Sequence, residues 1–368
     1  MSLLFPPVGQ SRCRAGNSSN ALRSETIGES MTKKVKWGIL SAASIARRRA
    51  VPGMLQCELA EVTAVASRSL EKAQEFAREF SIPKVYGSYE ELINDPEIEA
   101  IYNPLPNHLH VEWSVRAASR GKHVLCEKPV ARTVAEARRL LEARNKYRVK
   151  VGEAFMVRSH PQWLRAQELV SGGRIGKLRS AVCLFSYFNV NPENVRNSAE
   201  LAGGALMDIG CYPVRMSRFI FGEEPVRVMA CVELDPSFKT DRLTSAILEF
   251  SAGQCIFTVS TQQIYYQRMQ FLGTEGRVDI EIPFNAPTDK PCRIYIDDGK
   301  ELYGGASQVT ESLPICNQFT IQADLFSKAI RENQEVPNSM EDAVCNTAVL
   351  EALFRSAQTG KWETPERL

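Results

Sequence analysis

Several features that would announce a function are missing from this chain of 368 residues, and each absence closes a class. No apolar run approaches the roughly 20 residues a bilayer-spanning helix needs, so no membrane partner is expected. Neither sign of charge dominates. Lys and Arg number 45 against 43 Asp and Glu, and a net of +2 is too weak a field to point to nucleic acid. The ten cysteines contain no C-x-x-C pair, and with four histidines no Cys/His spacing reads as zinc-binding. His108 and His110 lack acidic companions at ligand spacing, so no metal is expected there either. Cys183 and Cys231 fall inside apolar runs, which suits buried free thiols in a reducing compartment and hence a cytoplasmic protein.

What is present suits a soluble protein of two domains, with 44% apolar and 24% charged residues. Residues 1–31 stand apart, rich in Ser, Asn, Gly and Arg, and are expected to be a disordered extension. A transit peptide is the rival reading: Arg12, Arg14 and Arg23 favour it, and Glu25 and Glu29 oppose it. From Lys34 onward, short apolar strands (35–40, 62–67, 100–103, 123–126 and 149–154) alternate with helix-period stretches (44–55, 70–80, 108–120 and 133–146). That alternation predicts a parallel sheet with helices on both faces over 32–154. Ser69 and Thr133 are placed as N-caps, and Glu136 completes a capping box with the second.

Beyond residue 155 the pattern changes to an α+β domain expected to run to 368. Helices are predicted at 161–171, 203–221, 317–332 and 340–359. Strands are predicted at 179–189, 226–233, 244–250, 255–260, 269–272 and 277–282, joined by short turns as antiparallel hairpins. The fold class is therefore a Rossmann-like α/β domain followed by an α+β domain with an open, mainly antiparallel sheet. Its strands are apolar on both faces, Leu248 and Phe250 against Ile247, then Phe257 and Val259 against Ile256. The helices of one chain cover one face, so a homodimer or higher homo-oligomer is expected.

Val124-Leu125-Cys126-Glu127-Lys128-Pro129 is the most informative stretch. An apolar strand delivers Lys128 to the carboxyl edge of the sheet, where open α/β sheets bind ligands, and Pro129 restricts how the chain leaves. An exposed strand-end lysine is the bland alternative. Between the first strand and first helix, the usual G-x-G-x-x-G/A becomes Ser41-x-Ala43-x-x-Ala46, with a glycine instead at Gly38. All three positions are small, as backbone approach to a pyrophosphate requires, and Ser44 and Ile45 complete the loop. A close-packed turn without a ligand would look the same. At the end of the second strand stand Ser67, Arg68 and, a turn on, Lys72, where NAD-specific sites commonly place a carboxylate. A hydroxyl and two cations suit a 2′-phosphate, so NADP is expected over NAD. A solvated basic helix start is the alternative.

Five motifs occur in order: Gly38-Ile39-Leu40-Ser41, Pro104-Leu105-Pro106-Asn107-His108-x-His110, Glu127-Lys128-Pro129, Glu153-Ala154-Phe155-Met156-x-Arg158, and Gly203-Gly204-Ala205-Leu206-Met207-Asp208-Ile209-Gly210-Cys211-Tyr212. Together they resemble the Gfo/Idh/MocA oxidoreductase family over about residues 34–360. The branch they most resemble holds NADP-dependent D-xylose 1-dehydrogenases and dimeric trans-dihydrodiol dehydrogenases. By position the resemblance implies that Lys128, Asp208 and Tyr212 are catalytic or substrate-orienting. Pro104, Asn107, His110, Glu127 and Arg158 fall on its cofactor side. The expected reaction is hydride transfer from a sugar or sugar-like diol to NADP, most concretely aldose C1 to lactone. A trans-dihydrodiol dehydrogenase, a ketose reductase and a non-catalytic NADP sensor are the alternatives.

Asp208 and Tyr212 share a face if 203–221 is helical, and Pro213 implies a kink or a helix start beside them. A phenol of pKa ~10 is a poor base at neutral pH, but Lys128 close by would lower it, so Tyr212 is the expected proton acceptor. A buried tyrosine with a satisfied hydroxyl is the plainer reading. Asn189, Asn191 and Arg196, before that helix, are candidates for binding a polyol, with turn asparagines as the alternative for at least one.

Overall fold

A computed structural model describes residues 33–301 and 307–368. The segment 1–31, expected to be disordered, lies outside them. The first sheet has six parallel strands: β1 (Val35–Leu40), β2 (Ala60–Ala66), β3 (Lys84–Tyr86), β4 (Ala100–Asn103), β5 (His123–Glu127) and β6 (Val151–Ala154). Their order is β3-β2-β1-β4-β5-β6, so the chain reverses direction across the sheet between β1 and β4. That reversal opens a crevice at the carboxyl ends of the strands. Val35, Ile39, Val65, Ile101 and Val124 are fully buried, as a sheet covered on both faces requires.

Local chemistry sets the helix starts. Ser69 Oγ accepts the Lys72 N–H at 3.3 Å, and Thr133 Oγ1 accepts the Glu136 N–H at 3.1 Å. Glu136 reaches back to the N–H of Arg132 rather than that of Thr133, one residue further out than a capping box. The first helix begins with a wide π-helical turn, Ala46–Ala50, and continues through Val51–Met54. A second π-helical turn, Leu206–Gly210, leads into the helix Cys211–Phe221, and ends just ahead of Pro213, which has no N–H to give. Strand β3 and the helix Tyr89–Asn94 were not predicted, being too short to carry a period.

The second sheet holds β7 (Leu178–Phe188), β8 (Arg227–Leu234), β9 (Asp241–Glu249), β10 (Gln254–Ser260), β11 (Gln262–Gly273), β12 (Arg277–Ile280), β13 (Cys292–Asp297) and β14 (Val309–Leu313). Their order is β14-β13-β12-β11-β7-β10-β9-β8. The expectation of successive hairpins is corrected at one place: β10 runs parallel to β7, which lies between β10 and β11. Strand β7 is long and buries Ala181, Cys183 and Phe185 on one face, so pairing on both sides keeps its backbone satisfied in the core. Its other face carries Val182 and Leu184, which with Ile256 of β10 stay exposed. Cys183 is buried as its apolar run implied, whereas Cys231 lies on the edge strand β8 and is exposed.

Of the helices assigned by sequence order to the second half, Gln318–Arg331 returns to the first sheet, and Met340–Thr359 packs between β8 of the second sheet and the helix Val134–Tyr147. Trp37 of β1 donates from Nε1 to Ser327 Oγ at 3.1 Å and packs on Phe326 with ring centroids 5.5 Å apart. No described helix is long and apolar enough to cross a membrane.

Candidate active site

Lys128 follows the last residue of β5 and is joined to Pro129 by a cis peptide bond. Its ammonium lies 2.5 Å from the main-chain oxygen of Asp208 and 3.4 Å from Asp208 Oδ1, across 80 residues of sequence. Asp208 Oδ2 also accepts from the Tyr187 hydroxyl at 2.6 Å and from Arg196 Nε at 2.8 Å. The Lys128 and Asp208 side chains are 12% and 14% exposed, so these charges meet largely out of water. Burial pushes the Asp208 carboxyl up, but Arg196, Lys128 and the Tyr187 hydroxyl outweigh it and hold it well below the usual carboxylate range. Burial likewise opposes the Lys128 charge, and the acidic groups around it, Tyr212 and Asp208 first, raise its pKa above the ordinary lysine value. Asp208 is therefore a fixed anion and Lys128 a fixed cation at neutral pH.

Tyr212 lies beside them in an arrangement the sequence did not imply. The ammonium sits over the face of its ring, 4.8 Å from the centroid, and no hydrogen bond joins the two side chains. The ring is packed among Phe155, Phe185 and Phe284, and its hydroxyl faces Met156 Sδ at 4.0 Å. Burial raises the phenol above its ordinary value, and Lys128 offsets only part of that. Here Lys128 makes a cation–π contact with the tyrosine.

The turn that presents Lys128 is held from below. Glu127, buried at the strand end, accepts the Tyr102 hydroxyl at 2.6 Å and the Lys128 N–H at 3.3 Å. Desolvation raises its pKa, against the pull of the Tyr102 hydrogen bond. His110 is fully buried, with Nδ1 2.8 Å from the Pro129 oxygen and Nε2 2.6 Å from the Leu105 oxygen. Burial lowers its pKa to about 4 against the pull of these two oxygens, and the neutral ring donates to only one of them. Pro104, adjoining Leu105, is buried, and Asn107 spans the cleft, its Nδ2 donating to Ala202 O at 3.0 Å. Arg158 stacks on Phe219 with its guanidinium carbon 3.5 Å from the ring centroid.

At the cofactor edge, Ser41 has φ 85°, the left-handed region in which a dinucleotide loop ordinarily places glycine. Its N–H donates to Ala66 O at 2.8 Å. Ala43, Ser44 and Ile45 follow into the first helix, with Ala43 O accepting the Arg47 N–H at 3.0 Å. Gly38 lies inside β1, where a Cβ would come within 2.5 Å of Leu92, so the glycine permits strand–helix packing. Ser67 Oγ accepts the Ser69 N–H at 3.3 Å. Arg68, just past β2, and Lys72, in the first turn of the helix Leu70–Phe80, are exposed, and neither side chain makes an ion pair within the described residues.

Asn189 and Asn191, candidates for polyol contact, each close a turn with a side-chain oxygen. Asn189 Oδ1 accepts the Asn191 N–H and Asn191 Oδ1 accepts the Glu193 N–H, each at 3.0 Å. Arg196 spends Nε on Asp208, while its side chain stays 42% exposed. Sequence reasoning missed Tyr187. Its signal was the period of two in β7, where Ala181, Cys183, Phe185 and Tyr187 fall on one face and the last carries a hydroxyl. It also missed Asp241, buried at the start of β9, whose Oδ2 accepts the Leu206 N–H at 2.6 Å and the Thr244 hydroxyl at 2.9 Å. That carboxylate caps the helical segment carrying Asp208, and no local pattern marks it.

A dinucleotide-type sheet with a lysine–aspartate pair at its carboxyl edge is the layout of a nucleotide-binding enzyme. Residues 35–155 match the Gfo/Idh/MocA oxidoreductase family, NAD-binding Rossmann fold, and residues 163–279 match the Gfo/Idh/MocA C-terminal domain. An uncharacterized oxidoreductase of Rhizobium meliloti is 44% identical over 331 residues, 90% of this chain and 99% of the relative. A D-xylose 1-dehydrogenase (NADP(+)) of Haloferax volcanii is 34% identical, covering 88% of this chain and 98% of its own length. Among solved structures, a 3-ketoreductase of Actinomadura kijaniata in complex with NADP and TDP-benzene is similar with a TM-score of 0.82. It is 28% identical and covers 88% of this chain and 98% of its own. The chain belongs to the Gfo/Idh/MocA family of oxidoreductases.

Proposed function

We propose that this protein is an NADP-dependent oxidoreductase that passes hydride between a sugar or sugar-like diol and the nicotinamide, most concretely oxidising an aldose at C1 to its lactone. The observation that carries this reading is the Lys128–Asp208 pair: a buried, charged donor at the carboxyl edge of a dinucleotide sheet, held by residues from both halves of the chain. The cofactor edge fits NADP. Ser41 makes the tight turn that a pyrophosphate loop needs, and Ser67, Arg68 and Lys72 suit a 2′-phosphate, the two cations making no ion pair among the described residues. When bound, NADP supplies the hydride acceptor.

The chain itself has to hold the reacting oxygen and move its proton. Lys128 donates a hydrogen bond to that oxygen and stabilises the negative charge that develops on it, in a site where few waters compete. In the reductive direction the ammonium gives its proton to the carbonyl oxygen, and in oxidation the lysine first releases its proton to water, after which its amine receives the hydroxyl proton. Asp208, fixed as an anion by Arg196 and Tyr187, orients the ammonium and keeps it charged at rest. The ring of Tyr212 forms the apolar floor on which the ammonium sits. The aldose reading leans on the xylose dehydrogenase among the relatives. Sugar ketone reduction is the second reading, favoured by the raised pKa of Lys128, which leaves a proton donor in place at neutral pH.

A spectrophotometric screen tests both, following NADP reduction over aldoses and diols and NADPH oxidation over sugar ketones. Turnover of a pentose or hexose is expected, with loss of about 10²-fold or more in Lys128→Met and a smaller loss in Tyr212→Phe. Full activity in Lys128→Met would remove the assignment of the site. A larger loss in Tyr212→Phe than in Lys128→Met would return the proton to the phenol.

A further inference from the structure

The two halves of the proposed site are joined a second time, behind the reacting groups. Glu153 of β6 is almost wholly buried and divides its carboxylate between them. Its Oε1 accepts the Val130 N–H at 2.9 Å, two residues beyond Lys128. Its Oε2 pairs with Nη1 of Arg215, which lies one helical turn beyond Tyr212 and is 1% exposed. The other arm of Arg215 pairs with Asp342 of the last helix and donates to Asn338 Oδ1 at 3.3 Å, while its guanidinium packs on the ring of Phe155 4.7 Å away. Arg218, one turn further on, donates to Asp342 Oδ1 at 2.7 Å and also pairs with Glu224. Arg215 Nε is buried with no acceptor among the described residues.

An ion pair this deep is a weak source of stability, because desolvating the two charges consumes most of their attraction and an apolar pair of similar volume does as well. Its placement has a different consequence. One carboxylate fixes the backbone that carries Lys128 and, through Arg215, the helix that carries Asp208 and Tyr212. We propose that Glu153 and Arg215 are positioning residues, an ionic strut that sets the separation between Lys128 and the Asp208–Tyr212 face. The inference rests on the proposed role of Lys128. A misplacement of about 1 Å between reacting groups is enough to cost on the order of 10²-fold in rate.

The test is the pair of apolar replacements made together, Glu153→Met with Arg215→Met, beside each single variant and Arg215→Lys. Each single methionine variant strands a buried charge and should lower the melting temperature, and the double variant should recover most of that loss. If the pair is a strut, turnover in the recovered double variant stays at least 10-fold below wild type, with the NADP dissociation constant unchanged. Arg215→Lys keeps the charge but loses the fork that reaches Glu153 and Asp342 together, and should show the same loss of turnover with unchanged NADP binding. Wild-type turnover in the double variant, or in Arg215→Lys should the double variant not fold, overturns the proposal. Lys128→Met measured alongside separates the two claims. If it is fully active the site reading has failed, and if it is inactive while the double variant is normal only the strut has failed.

Discussion

Replacing Asp208 by Asn is the sharpest probe of how the charges at the sheet edge work together. The substitution keeps the shape and an oxygen for the Tyr187 hydroxyl, but removes the anion from between Lys128 and Arg196. Breaking a buried ion pair by removing one partner costs ~3–5 kcal/mol. Arg196 is 42% exposed and partly screened by water, so the larger share of that cost falls on Lys128, which is 12% exposed. With the anion gone and the Tyr212 phenol kept uncharged by its own burial, burial is left as the main influence on the lysine and pushes its pKa down. The sign follows from the wild-type direction. The folded value is now raised, so the ammonium persists at every ordinary pH, and in the variant it is lost as pH rises through the lowered value. Carbonyl reduction with NADPH, followed from pH 6 to 10, should be flat on the alkaline side for wild type and fall within that range for the variant. At neutral pH a turnover loss of about 10²-fold is expected, equal to ~2.7 kcal/mol of barrier. Near-normal turnover together with a flat alkaline profile would refute the argument that Asp208 holds the charge on Lys128.

Arg68→Ala should raise the Michaelis constant for NADP far more than that for NAD, and equal effects on both cofactors would remove the basis for the 2′-phosphate site. Burial raises the Asp241 carboxyl to about 6, above its unfolded value, so the folded state holds that proton more tightly and stability falls as pH rises from about 4 to about 6. The urea midpoint of wild type relative to Asp241→Asn should therefore drop between pH 4.5 and 7, by the equivalent of ~2 kcal/mol, and a constant difference would contradict it. Gly204→Ala should be strongly destabilising, because φ is +108° and a Cβ would fall 1.8 Å from Asp241 Oδ1. A melting temperature within a degree of wild type would count against that reading. Light scattering at micromolar concentration should show at least a dimer, because Val182, Leu184, Ile256 and Phe188 leave the outer face of the second sheet apolar and exposed.

The parallel sheet was legible because its strands are buried on both faces and read as mainly apolar runs between helix periods, as Val35–Leu40 does with Lys36 its one charged residue. The Ser69 and Thr133 caps were legible because capping is local. Lys128 stood out because an apolar strand cannot bury a lysine without a reason. Strand β3 escaped because three residues carry no period, and the parallel β7–β10 pairing because a ladder between distant segments leaves no mark on either. Sequence by itself determined which residue types were available at the site and which elements would carry them. Only the tertiary structure decided that Lys128 meets Asp208 rather than the phenol of Tyr212, that Tyr187 and Arg196 fix that carboxylate, and that Glu153 reaches both sides at once. Those outcomes depend on distances between segments far apart in the chain, set by how two sheets and their helices pack, and packing geometry is a property of the whole core rather than of any stretch within it.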